Sequence, residues 1–299
     1  EKFLEFLNKN GFYMPDKSFS TFSSTPHELN SILNMDYPIK KGWVSDSYQA
    51  LKNNKVMSVF SDQNYSIIET NSMMRWKNFS DVDTKLCYDT NFINSEFLDQ
   101  VLGKSIIRYF LEQHHNDTRR DTIRCTFNEL SELPSQSSGP KYVFSHLYVP
   151  HPPFLFGPNG ENIIPDHREI SGLQSWENTQ GYINQLIYAT NQASIVIKNI
   201  VKNDPNAIII LQGDTGTSTG TSHTSTKTMK EIYQSHSILY AVRIPDVNNL
   251  ESVMPVNTYR IIFNNYFNMD YEYLEQHIYT DQNGVWVEIT EKLREYRFD

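Results

Sequence analysis

The sequence predicts an α/β protein. Two short apolar runs, residues 142–145 and 207–213, each end in a residue with chemistry to offer, His146 and Asp214. Between them residues 182–202 repeat apolar positions at helical spacing. Strand, helix and strand in that order predict a parallel crossover unit, and such sheets collect function at the carboxyl ends of their strands. The expected architecture is a mostly parallel central sheet sandwiched between helices, with residues 1–299 forming one domain.

The elements follow in order. Residues 2–8 carry Phe3, Leu4, Phe6 and Leu7 on a short helix that Gly11 closes. After a Ser/Thr stretch at 18–25, Thr25-Pro26-His27-Glu28 predicts a helix start. Thr25 is the expected N-cap, proline suits the first helical position, and Glu28 completes a capping box. Leu29, Ile32 and Leu33 then face inward, and the helix stops before Pro38. A helix-plus-strand unit is expected over 47–53 and 56–69. Helices are expected over 97–113 and 122–133, and a Ser/Gly/Pro linker over 135–140. Residues 215–228 are almost all Gly, Ser and Thr, the composition of a mobile loop. A strand over 237–244, a helix over 256–267 and an edge strand over 285–289 complete the chain.

Composition excludes several classes. With 38% hydrophobic and 20% charged residues the chain is not a disordered tail. Lys and Arg number 26 against 35 Asp and Glu, a formal net charge of −9, so no nucleic-acid partner is expected. No apolar run reaches the ~18–20 residues of a membrane helix. The chain opens on Glu1 without a signal peptide, the look of an excised domain. Cys87 and Cys125, the only two cysteines, fit either two thiols, the plainer reading, or a single disulfide. Sequons at Asn64, Asn78 and Asn116 give slight support to an external location.

Three features carry the chemistry. The hydroxyl of Thr25 sits at a helix N-terminus, where free N–H groups favour phosphate or sulfate. His146 and His151 flank a strand end and a rigid Pro152-Pro153 turn, and two imidazoles there suit a metal or an anionic substrate. Asp214 ends an apolar strand, where a carboxylate holds a cation or caps a turn. Thr25, His146 and Asp214 are expected in one cleft.

Five segments in order resemble the sulfatase-like branch of the alkaline phosphatase superfamily, in particular relatives of lipoteichoic acid and phosphoethanolamine transferases. They are the approach from Phe6 to Tyr13, the nucleophile-like segment from Thr25 to Tyr37, the His-rich segment over 141–160, the helix and strand leading to Asp214, and a late helix from Val256 to Asn264. The resemblance implies an alkaline phosphatase-like fold. It also implies an extracytoplasmic, membrane-anchored hydrolase or transferase acting on an anionic ester of a glycan or lipid. Thr25 matches the metal-bound nucleophile, Asp214 a metal ligand, and His146 and His151 the substrate side. The implied cofactor is a divalent cation: manganese, zinc, magnesium or calcium.

Two departures follow from the same comparison. The family's Asp-His-Gly reads Asp214-Thr215-Gly216, which replaces an imidazole with a poorer hydroxyl ligand. The family's acidic ligand from a first strand would lie upstream of this stretch, as would its membrane tether. Thr215 and His223 are the remaining candidates for the metal. Low metal affinity and weak turnover of simple esters are therefore expected, and an anion-binding domain without turnover is the alternative.

Overall fold

A computed structural model describes residues 2–39, 44–71, 79–88, 107–136, 139–165, 176–218, 227–247, 250 and 253–297, with backbone alone at 44–47 and 107–114. It is a mixed α/β fold that contains a parallel sheet. The chain divides into two compact units. One comprises residues 1–65, 75–81 and 204–299, the other residues 66–74 and 82–203.

The first unit opens with α1 (Lys2–Lys9), α2 (Thr25–Asn34), α3 (Val44–Lys52) and α4 (Lys55–Asp62). Leu29, Ile32 and Leu33 of α2 are buried, as their spacing requires. Helix α2 packs on α3 and α4. Its cap is Ser24, in extended conformation and without a side-chain cap bond, so the expectation of Thr25 as N-cap is corrected by one position. At the other end Met35 turns left-handed at φ 54°, and its carbonyl accepts from the Arg260 guanidinium. A cation there also suits the negative end of the helix dipole.

Strands β4 (Ile209–Gln212) and β5 (Tyr240–Arg243) of this unit pair antiparallel, Ile210 opposite Val242. The crossover expectation is corrected on this point, since β4 was predicted as a parallel strand. Helix α7 (Met229–His236) separates them; α8 (Thr258–Tyr266) follows a 3-10 turn, and β6 (Tyr279–Gln282) and β7 (Val285–Glu288) form an antiparallel hairpin before α9 (Thr290–Glu295). Phe19, Ile232, Ile278, Ile289 and Leu293 form a core that draws α7, α9 and the hairpin together. Each such side chain contributes roughly 1.5–3 kcal/mol when fully buried.

In the second unit, β1 (Ser66–Thr70) lies between β2 (Thr84–Leu86) and β3 (Lys141–Phe144), all parallel. Helices α5 (Ile107–Gln136) and α6 (Thr179–Asn203) pack together over Ile123, Phe127, Leu155, Phe156, Tyr188 and Val196. The two helices expected over 97–113 and 122–133 are one from Ile107 onward, and the expected linker begins inside it; residues 97–106 lie outside the described residues. Cys87 and Cys125 are joined by a disulfide, so the thiol reading gives way. It fastens the segment after β2 to α5. Of the sequons, Asn64 is exposed and Asn116 is buried on α5; Asn78 lies outside the described residues. No described helix is long and apolar enough to cross a membrane.

Candidate functional site

Helix α2 brings Thr25 to its first turn with the side chain partly buried. The Thr25 hydroxyl donates to Asp214 Oδ2. Asp214 stands two residues beyond β4, and backbone bonds fix its segment: Gly213 N–H donates to Leu239 O at 2.8 Å and Gly216 N–H to Ser235 O at 2.9 Å. A Cβ at Gly216 would stand 2.0 Å from Gln234 O and 2.6 Å from Ser237 O. Only glycine allows the chain to run that close to the end of α7. Asp214-Thr215-Gly216 is thus a turn whose third residue holds its first in place.

Glu28, one turn beyond Thr25, is fully buried. Its Oε2 accepts from Phe22 N–H at 2.9 Å, while Oε1 has no hydrogen-bond partner. Burial pushes its carboxyl well above the usual carboxylate range against the Phe22 N–H bond, and the nearby Asp214 charge pushes the same way. The capping box expected of Glu28 is replaced by this inward bond to the segment before the helix. His27, beside it, packs on Trp286 at 4.8 Å and on Phe22 at 5.8 Å between ring centroids. Phe22 in turn stacks on Tyr279 at 5.7 Å. This aromatic cluster anchors the start of α2 to the hairpin β6–β7.

Thr25 and Asp214 therefore meet. His146 and His151 belong to the other unit. His146 follows β3, where Ser145 Oγ and Thr70 Oγ1 share a hydrogen bond of 2.8 Å. His151 is exposed and precedes two prolines, with cis bonds at Val149–Pro150 and Pro152–Pro153. The buried Gln185 of α6 holds this segment: its Oε1 accepts from Leu155 N–H at 2.7 Å, and its amide donates to His151 O at 2.9 Å. Thr215 is partly buried beside Asp214, and His223 lies outside the described residues.

Glu28 and Gln185 were missed by the sequence reasoning. Glu28 had a signal, a helix-start glutamate, but one that local capping explains equally well. A lone glutamine on an amphipathic helix carries none.

Thr25 and Asp214 offer a cation two oxygen donors. Among the described residues no group of three or more His, Cys, Asp or Glu side chains stands ready for a metal. Two oxygens are too few to hold a divalent ion unaided, so the described donors do not complete the expected site.

No protein-family model matches the chain, and no curated protein sequence matches it. Solved structures do. The zinc complex of the C-terminal periplasmic domain of EcEptC from Escherichia coli aligns over 97% of this chain and 85% of that one, at 13% identity and a TM-score of 0.60. The lipoteichoic acid synthase LtaP from Listeria monocytogenes aligns over 83% and 60%, at 15% identity and a TM-score of 0.50. The fold is alkaline phosphatase-like, as the sequence resemblance implies.

Proposed function

We propose that residues 1–299 act as one sulfatase-like domain that hydrolyses or transfers a phospho- or sulfo-ester group on a glycan or lipid. The contact between Thr25 and Asp214 carries this reading. A nucleophilic hydroxyl needs a base within hydrogen-bond reach, and Asp214 is the acceptor its proton already points to. As the Thr25 oxygen forms its bond to phosphorus or sulfur, the proton passes to Asp214 Oδ2 and the ester oxygen departs with its electron pair. The first-turn amides of α2 favour the negative charge on the transferred group. Water or an alcohol then takes the group from Thr25 and restores the hydroxyl.

His146 and His151 are assigned to the substrate. A divalent cation would take Thr25 and Asp214 among its donors, with Thr215 or His223 as further candidates, and would stabilise the charge that develops. The disulfide between Cys87 and Cys125 supports an oxidising, extracytoplasmic setting, as does the periplasmic origin of the EptC domain. A membrane anchor belongs to the same reading through the resemblance alone.

A second reading, an anion-binding domain without turnover, is favoured by Thr215 in place of the family's imidazole. The two are separated by incubating the protein with aryl phosphate or aryl sulfate and manganese, then digesting it and weighing the peptide that contains Thr25. A phosphoryl or sulfuryl adduct on Thr25, absent in Asp214→Asn, supports the enzyme. Binding of the ester with no adduct supports the second reading.

A further inference from the structure

Helix α6 buries Gln185, Tyr188, Val196 and Ile197. Its opposite side is more apolar than a solvated face. Ile183, Ile187 and Ile195 are 40, 42 and 50% exposed, and Leu186 is 36% exposed. Positions 183, 187, 191 and 195 recur every four residues, so they run as one stripe along the helix. Beside them Thr190 Oγ1 donates to Leu186 O at 2.9 Å and Ser194 Oγ to Thr190 O at 2.8 Å. Both hydroxyl groups spend their protons on the helix itself, which lowers the cost of covering them.

The two ends of the stripe carry opposite charge. Glu177 is exposed just before the helix begins, and Lys198 and Lys202 are exposed near its end. Asp204, beyond them, turns back to accept Asn206 N–H at 3.1 Å. A face that is acidic at one end, apolar in the middle and basic at the other complements itself when a second copy lies antiparallel. Turned end for end about Ala189, the helix sets Glu177 at the level of the second copy's Lys202 and Ile183 at the level of its Ile195. Ile187 and Asn191 then lie on either side of the axis, within reach of their counterparts. An anionic bilayer would ask for Lys or Arg along the polar edge, whereas the acidic half of this face carries Glu177, Gln180, Asn184 and Asn191.

We propose that the exposed stripe of α6 is the contact between two copies of this chain, paired antiparallel about a twofold axis beside Ala189. A single helix pair is a small interface, below about 1,200 Å², so the dimer is expected to be weak and concentration-dependent. The pairing needs neither a nucleophile nor turnover, and Thr25 belongs to the other compact unit.

The test is sedimentation equilibrium of the whole protein over a concentration series, with phosphatidylglycerol vesicles as a separate arm. The mass is expected to rise from that of one chain toward that of two. Ile187→Glu, which sets two carboxylates together beside the axis, should weaken dimerisation by about tenfold or more. Glu177→Lys and Lys202→Glu should each weaken it by about twofold to tenfold, and the two exchanges together should restore it. All three positions are exposed, so the variants should melt as the wild type does in dilute solution. Single-chain mass at every concentration up to about 1 mM, or a dimer that Ile187→Glu leaves intact, would overturn the proposal. A double exchange that pairs no better than either single variant would do the same. So would a single-chain protein that binds the vesicles and loses them in Ile187→Glu, because the stripe would then face lipid.

Discussion

The hydroxyl of Thr25 donates to the carboxylate of Asp214 across 189 positions of sequence. One residue opens a helix and the other ends a strand's turn, so the contact exists only when both elements are in place. Glu28 lies in the same electrostatic field: burial pushes its carboxyl well above the usual carboxylate range, and the Asp214 charge pushes the same way.

Glu28 gives the first prediction. Its folded pKa is raised above the unfolded value, so the folded state binds the extra proton. The stability this contributes is fully present below the unfolded pKa of about 4.5 and is lost as pH rises toward the folded value. Glu28→Gln keeps an acceptor for Phe22 N–H without a charge to bury. Its melting temperature should match the wild type near pH 4 and exceed it increasingly toward pH 8. Parallel curves across that range would refute the assignment.

His236 slopes the other way. It is fully buried, with Nδ1 3.1 Å from Ser20 O and Nε2 lacking a hydrogen-bond partner. Burial lowers its pKa to about 4, against the Ser20 bond, and the Lys227 charge lowers it further. A depressed histidine stabilises fully above pH 6.5, and the contribution falls away as pH drops toward 4, by up to about 3 kcal/mol. Denaturant titrations at pH 7 and pH 4.5 should show a smaller loss on acidification in His236→Asn than in the wild type.

Gly216 tests the turn that aims Asp214. Gly216→Ala puts a methyl group against the carbonyls of Gln234 and Ser237, which are backbone and yield little. We expect a loss of about 2 kcal/mol or more. Thr217→Ala, one residue on, should lose much less; equal melting temperatures for wild type and Gly216→Ala would remove glycine's role here.

Cys87 and Cys125 close a loop of 38 residues. Replacing both with serine should lower unfolding free energy by about 2–4 kcal/mol, read from urea denaturation of oxidised protein. Titration of two thiols in the native protein would contradict the bridge.

Much of this architecture was legible in the sequence because its signals are local. Leu29, Ile32 and Leu33 mark the buried stripe of α2, and residues 182–202 fall inside α6, at Thr179–Asn203. Strand pairing was less legible. An apolar run such as 207–213 shows that a strand exists, but its direction relative to a neighbour is set by β5, about thirty residues later. The helix break expected before residue 122 failed because residues 114–122 are an unbroken polar run that reads as a linker, whereas Asn116, Arg120 and Thr122 within it are buried on the helix. At the site, Thr25 and Asp214 stood out by position, whereas the capping role went to Ser24 and the inward turn of Glu28 depends on Phe22, which no spacing rule connects to it.

In the proposed mechanism Thr25 is a nucleophile whose weak point is the ligand at Thr215. The most direct measurement is turnover of an aryl phosphate and an aryl sulfate against manganese and zinc concentration, in the wild type, Thr215→His, and each with Thr25→Ala. Low turnover is expected in the wild type. In Thr215→His, metal affinity and turnover should rise together, and Thr25→Ala should abolish both activities. Turnover that survives Thr25→Ala, or a Thr215→His protein that binds metal no better than the wild type, would contradict it.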